Sequence, residues 1–392
     1  MVMTFSDAGL RRRDLATLGA AVAVLPLAGL VAGQAAAAAP PGGARLRLRP
    51  DDGAGRALDV RLGHHRQIAA RGAALRTPAQ RTDTFALLGV TWAAGSGRVR
   101  VRVHSTDGGW GSWRSVPALR DLPDDGTAER RHTRAGTEPL WVGDSDGVQV
   151  EVTGSVEDPV LTLIDPGNHS GDDPAGDPRG VAARPQKHRS LRPRIRSRRA
   201  WGAKERWATG RPKRVRTVEQ IHVHHTATGN EYRRRDVPRI LRAIYRYHTK
   251  TLGWSDVGYN YFVDRFGRIW AGRRGADGDR DTRGAHTLGF NHSSVGIAVL
   301  GSYDEVVPGP QMLAGVAKVA AWKLRKHHRD PLGSIAVTSR GSDRYPKGTV
   351  VTLPVIDGHR DTNDTACPGE HLYAALPEIR LRTARRIGRS RR

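Results

Sequence analysis

GHRDTNDTACPG, residues 358–369, holds the only cysteine of the 392-residue chain, Cys367, eight positions after His359. The Gly, Asp, Thr, Asn and Pro around them give a loop composition that suits side chains pointing into a shared site. A second polar knot, IHVHHTAT, lies far upstream at 221–228. Brought together, the two stretches offer two imidazoles and a thiolate to one tetrahedral cation, with a fourth position left for water. That is the ligand pattern of a catalytic zinc site. Strand alternation puts Ile221, Val223 and His225 on one face and His222 and His224 on the other. It does not choose which histidine binds.

Compartment bears on the cysteine. Arg11, Arg12 and Arg13 precede the apolar run LATLGAAVAVLPLAGLVAG (15–33) and an Ala-rich tract with an Ala-x-Ala cleavage pattern near Ala37 to Ala39. Arg12-Arg13-Asp14-Leu15 is similar to a twin-arginine export signal. An uncleaved anchor is the alternative, but Pro26 and the Ala-rich exit favour cleavage. The expected mature protein lies outside the cytoplasm, secreted or at the cell wall, with no stable membrane span. One exported cysteine cannot make an internal disulfide, so an intermolecular bridge, an inert buried thiol and a metal ligand are the choices, and it is the neighbouring His359 and the upstream histidines that favour the last. Lys plus Arg is 64 against 39 for Asp plus Glu, a formal charge of +25. Such an excess suits a polyanionic partner, although the Arg bias also fits a GC-rich genome.

The expected organisation is an export signal (1–39), a poorly patterned segment (40–83) with a strand at Ala44–Leu48, and a small all-β module (84–167). A flexible linker (168–195), the main domain (196–387) and a basic, frayed tail (388–392) follow. FALLGVTW (85–92), RVRVRVHS (98–105), VQVEVTG (148–154) and LTLIDPG (161–167) read as short strands of a β-sandwich. Trp110 and Trp113 read as core rather than as a sugar platform, and DSDG (144–147) as a turn rather than a calcium loop. Residues 168–195 are Gly, Pro and charge without periodicity. Beyond them, strands at 220–227, 259–272 and 295–301 alternate with helices from Asp236, at 311–327 and at 370–387, the last broken at Pro377. The fold class is α/β (α+β): a mixed central β-sheet flanked by helices, carrying the zinc site.

Four blocks in order, IHVHHTAT, GWSDVGYNYFVDRFGRIWAGR (253–273), GAHTLGFNHSSVGIAVLG (284–301) and GHRDTNDTACPG, resemble the peptidoglycan recognition protein and type 2 N-acetylmuramoyl-L-alanine amidase family. The likeness covers about 196–385. It implies zinc ligation by His224, His359 and Cys367. It implies that Tyr259 orients the water or the oxyanion, and it places Thr365 where recognition-type amidases carry Thr and phage enzymes carry Lys. It further implies a substrate groove walled by His286, with Trp270, Arg273 and Asn291 as contacts to glycan or stem peptide. The N-terminal part resembles the β-rich module preceding such domains in some actinobacterial cell-wall proteins.

The chemistry agrees with this reading. A wall amide is inert at neutral pH, so the site must make a nucleophile and stabilise an oxyanion, and zinc does both. The Tyr259 hydroxyl can donate to the developing charge, and Asp357 and Asp361 flank His359 as expected partners of the imidazoles. The implied reaction is hydrolysis of the amide between N-acetylmuramic acid and L-alanine in peptidoglycan. A peptidoglycan-binding protein without catalysis is the second reading, and Cys367 argues against it, because recognition-only relatives commonly lack that ligand. Nucleic-acid binding rests on charge alone: no helix-turn-helix, finger or RNP-type motif appears. The basic residues instead suit anionic wall polymers.

Overall fold

Two strand periods, one after the other, build the molecule. The structure, a computed structural model, describes residues 37–38, 45–52, 55–63, 74–169, 172 and 191–391. Apart from Ala37–Ala38, the export-signal reading (1–39) falls outside these residues, as does most of the linker. Among the described residues no helix is long and apolar enough to cross a membrane.

The N-terminal module is all β, as its alternation requires. Strand Ala94–Ser105 pairs antiparallel with Leu140–Glu157, so that Val99 meets Val152, Val101 meets Val150 and Val103 meets Val148. These valines join Phe85, Leu88, Leu161 and Leu163 in the module's core. Arg100 and Arg102 on the other face reach Glu151 and Gln149. Ten strands form one hydrogen-bonded network, bent where Gln80–Trp92 shifts register against Leu140–Glu157.

Three local readings are corrected. Strand Arg56–Arg61 pairs in full with Val160–Asp165, so the module begins before residue 84. Asp144–Gly147 is no turn, because it runs inside the long strand, opposite Phe85 and His104. Trp110 and Trp113 lie half-buried at the surface, where the guanidiniums of Arg76 and Arg102 stack 5.0 and 5.4 Å from the Trp113 ring.

The C-terminal domain is built on a mixed six-stranded sheet. Its order is Ile195–Arg196, Ile269–Ala271, Tyr261–Val263, Ser294–Val299, Gln220–His225 and Ile356–Gly358. Helix Val237–Arg246, which begins with Pro238 in its first turn, widens into a π turn at Tyr247–Thr251 and packs on one face with Phe262, Trp270, Ala298 and Leu300. Helices Pro310–Lys326 and Leu376–Arg391 cover the other face, against Ile221, Val223, Ile297 and Val299. The break after Ala374 falls just before Pro377, which cannot donate within a helix. The last helix runs on to Arg391, where a frayed end was expected. A hairpin, Ser334–Thr338 with Val350–Pro354, was not expected.

The module is packed against the domain rather than tethered to it. One apolar cluster contains Ala86, Leu87, Trp141 and Ile164 from the module and Trp201, Tyr245, Tyr247 and Ile244 from the domain. At Gly89 a Cβ would lie 2.5 Å from the Tyr247 ring, so only glycine admits this approach.

Candidate metal centre

Alternation along Gln220–His225 separates its histidines. Ile221 and Val223 enter the core beneath the helices. His222 and His224 face the other way, and His224 sits in register with Ala298. His225 is held on the core side, its Nδ1 accepting from the Tyr303 amide at 3.3 Å. The short strand Ile356–Gly358 runs parallel to Gln220–His225 and delivers His359 at its end. The following loop turns back so that Cys367 Sγ lies 3.8 Å from His224 Nδ1. One donor atom each from His224, His359 and Cys367 lies within 4.8 Å of the other two, and all three residues are buried. The two stretches meet.

Asp121, from the N-terminal module, shares this centre. Its Oδ1 is 3.0 Å from His224 Nδ1 and 3.1 Å from His359 Nδ1. Neither contact is a hydrogen bond: Asp121 Oδ1 and both His359 nitrogens are buried without a hydrogen-bond partner. Buried polar atoms are almost always paired, so Asp121 Oδ1 and His359 Nδ1, unpartnered and close together, fit a site for a cation. Electrostatics agree. Burial drives His224 well below the usual imidazole range, helped by His222 and His225, and takes His359 down to about 3 despite Asp121. Both are therefore neutral, as metal ligands must be. Burial, then Asp121, pushes the Cys367 thiol well up, so its thiolate needs a cation beside it. The residues present fit a metal.

The other expected residues divide. Tyr259 is at the centre, its hydroxyl donating to Asp121 Oδ2 at 2.5 Å and its ring centroid 5.4 Å from that of His224. Burial and then Asp121 raise it well above the usual phenol range, so it stays a donor. Thr365 sets the loop, its hydroxyl accepting from the Cys367 amide at 3.1 Å. His286 does not stand in an open groove. It is fully buried, with Nδ1 3.1 Å from His224 Nε2, and so fixes the His224 ring. Asn291 is also buried, its Oδ1 accepting from the amides of His286 and Thr287. Arg273 is paired with Glu129 and Ser255. Trp270 is a core residue whose indole donates to Asp264, so its reading as a groove contact is corrected.

The reading of Asp357 and Asp361 is corrected too. Asp357 lies opposite His222 in the parallel register and bonds its Nδ1 at 2.5 Å. Asp361 accepts from the Gly358 amide and the Tyr373 hydroxyl. Sequence reasoning missed Asp121 and Glu138, a second buried carboxyl that burial and then Asp121 push well up. Nothing in ALRDLPDDG (118–126) distinguishes Asp121 from an ordinary loop aspartate.

A mixed sheet between helices, bringing two histidines and a cysteine around one point, defines a domain able to hold a metal. Residues 214–370 match a family model described as N-acetylmuramoyl-L-alanine amidase. Residues 57–179 match one described as Rv3811 N-terminal galactose-binding domain-like. Peptidoglycan-recognition protein SC1a of Drosophila melanogaster is 26% identical over 151 residues, 38% of this chain and 68% of that protein. The N-acetylmuramoyl-L-alanine amidase of Homo sapiens is 31% identical over 189 residues, which is 47% of this chain and only 28% of that protein. Among solved structures, a Drosophila peptidoglycan recognition protein LB variant in complex with tracheal cytotoxin is 25% identical, with a TM-score of 0.36 over 47% of this chain and 92% of that one. The C-terminal domain is thus similar to the peptidoglycan recognition protein and type 2 amidase family.

Proposed function

We propose that the protein is a zinc-dependent N-acetylmuramoyl-L-alanine amidase, exported by a twin-arginine-like signal, that hydrolyses the amide joining N-acetylmuramic acid to L-alanine in peptidoglycan. The observation that carries this reading is Cys367 completing a buried set with His224 and His359. A zinc ion held there supplies a Lewis acid for the carbonyl and lowers the pKa of a bound water from ~15.7 to about 7.

The chain's own residues do the rest. His286 holds the His224 ring, and Thr365 holds the cysteine loop through the Cys367 amide. Tyr259, kept protonated by burial, donates toward the negative charge that develops on the carbonyl oxygen. The excess of Lys and Arg suits retention on anionic wall polymers.

The test is mass spectrometry of muropeptides after digestion of purified walls, with wild type and Asp121→Ala, each with and without Cys367→Ser. Free stem peptides beginning with L-alanine are expected from the forms that keep Cys367 and from neither that lacks it. Equal products from all four, or none from any, would overturn the enzyme reading and leave a wall-binding protein.

A further inference from the structure

The metal centre as it stands cannot admit a polymer. His224, His359, Tyr259 and Asp121 are each no more than 2% exposed and Cys367 is 6% exposed. The cover is one segment of the N-terminal module, within residues 117–139, which leaves the sheet after strand Arg114–Val116 and returns to it at Ala135–Gly136, paired with Trp92 and Thr91. Its two feet are tied together: the Leu119 amide donates to Gly136 O at 2.9 Å and the Glu138 amide to Pro117 O at 2.8 Å.

Between the feet, the strap engages Tyr259 and two of the expected substrate residues, Asn291 and Arg273. Asp121 enters the ligand set and takes the Tyr259 hydroxyl. Leu122 O and Asp124 Oδ1 accept from the Asn291 side chain at 3.1 and 2.9 Å, and Asp124 also takes the Gly289 amide and pairs with Arg283. Glu129 pairs with Arg273 at 2.6 Å and accepts from the Ser255 amide at 3.1 Å. The Tyr259 hydroxyl occupies Asp121 Oδ2, but Oδ1 is buried with no hydrogen-bond partner. A carboxylate buried beside two neutral imidazoles and a thiol is unfavourable unless a cation or a proton compensates it.

We propose that residues 117–139 form an autoinhibitory strap and that Asp121 supplies the fourth ligand of the His224, His359 and Cys367 centre, closing the position that a catalytic site keeps open. The proposal rests on the metal reading of the site but not on the reaction assigned to it. Only Leu119 and Leu122 of the strap pack against the shared core, and Leu122 does so only partly buried. The remaining anchors between the feet, at residues 120–134, are polar, so that stretch can lift while Ala135–Gly136 stays paired with strand Gln80–Trp92. Release frees the Tyr259 hydroxyl, Asn291 and Arg273 together, and substrate access becomes an equilibrium between closed and open forms.

Cobalt(II)-loaded full chain tests this, with azide as the probe anion and circular dichroism as the check on folding. The visible spectrum of the wild type should be unchanged by azide, whereas Asp121→Ala should respond, and it should lose cobalt to a chelator faster than the wild type. Release of wall fragments by zinc-loaded Asp121→Ala should rise roughly 10- to 1,000-fold, the inverse of an open population on the order of 0.1–10%. The double variant Asp124→Asn/Glu129→Gln keeps every ligand, and if Asp121→Ala does not fold it carries the test: azide should reach its metal too. A wild-type spectrum that shifts with azide as fully as either variant's would overturn the proposal. So would a folded Asp121→Ala that keeps both the metal-release rate and the azide response of the wild type. Spectra behaving as expected with no hydrolysis by any form would leave the strap standing and remove the amidase.

Discussion

His286 shows how one side chain changes meaning once its neighbours are known. Sequence likeness puts it on a groove wall, yet it is buried against the His224 ring, 3.1 Å from its Nε2. Its pKa is driven well below the usual imidazole range by burial and by His224, so it is a neutral partner that fixes the ring rather than a titrating one. Removing such a partner typically costs 10- to 100-fold in metal affinity. His286→Ala should therefore weaken zinc binding by about that factor in chelator competition, while His286→Gln, which keeps a hydrogen-bonding group, should lose less. Equal affinity in all three proteins would show that something else orients His224. Cys367 and His359 were legible because a thiol and an imidazole in a polar loop have few other uses. Asp121 was not, because a loop carboxylate is ordinary until the fold carries it across to the metal centre.

At the level of elements, the sheet reserves space for that partner. Gly296, in strand Ser294–Val299 opposite His222, is where a Cβ would come within 2.4 Å of the His286 ring. Gly296→Ala should displace His286 and reproduce the metal-affinity loss of His286→Ala with the ligands untouched, measured by the same competition. The helix Pro310–Lys326 carries a second feature that its apolar stripe conceals. Lys323 is 1% exposed and pairs with Asp281 at 2.5 Å, and Lys326 and His327 meet the same carboxylate. Truncating one partner of a buried pair usually costs about 3–5 kcal/mol, so Asp281→Ala should destabilise by about that much in urea unfolding. Asp281 is pulled down from 3.8 to about 2, burial opposing and Lys323 leading the attraction. A carboxylate lowered on folding adds stability above its unfolded pKa and gives it up as pH falls through the folded one. The wild type should thus lose this contribution between about pH 4 and pH 2, and Asp281→Asn should show no such segment in its stability profile.

For the whole molecule, the shared core matters most. Tyr247 is fully buried, belongs to the cluster that joins module and domain, and donates its hydroxyl to Thr137 O at 3.0 Å, at the foot of the strap. Tyr247→Ala should cost about 3–5 kcal/mol, as for other large aromatic truncations. Because the cluster is common, the wild type should unfold in one transition, coincident by tryptophan fluorescence and far-ultraviolet circular dichroism. Two separated transitions would show that module and domain are stable alone and that the contact between them is incidental. The sequence concealed this contact for a plain reason. Alternation marks which residues of a strand are buried, but not whether its own module or a neighbour covers them.

By itself the sequence determined the strand and helix periods, the two-part organisation and the residues able to hold a metal, because these depend on local spacing and on side-chain chemistry. Tertiary structure alone decided which groups surround those ligands. Parallel register gave Asp357 to His222 instead of His359, burial turned Trp270 and His286 inward, and the packing of the module placed Asp121 between the two imidazoles. Partners brought together from more than a hundred residues apart leave no periodic trace in the chain, because it is the closed core, and no local preference, that makes them neighbours.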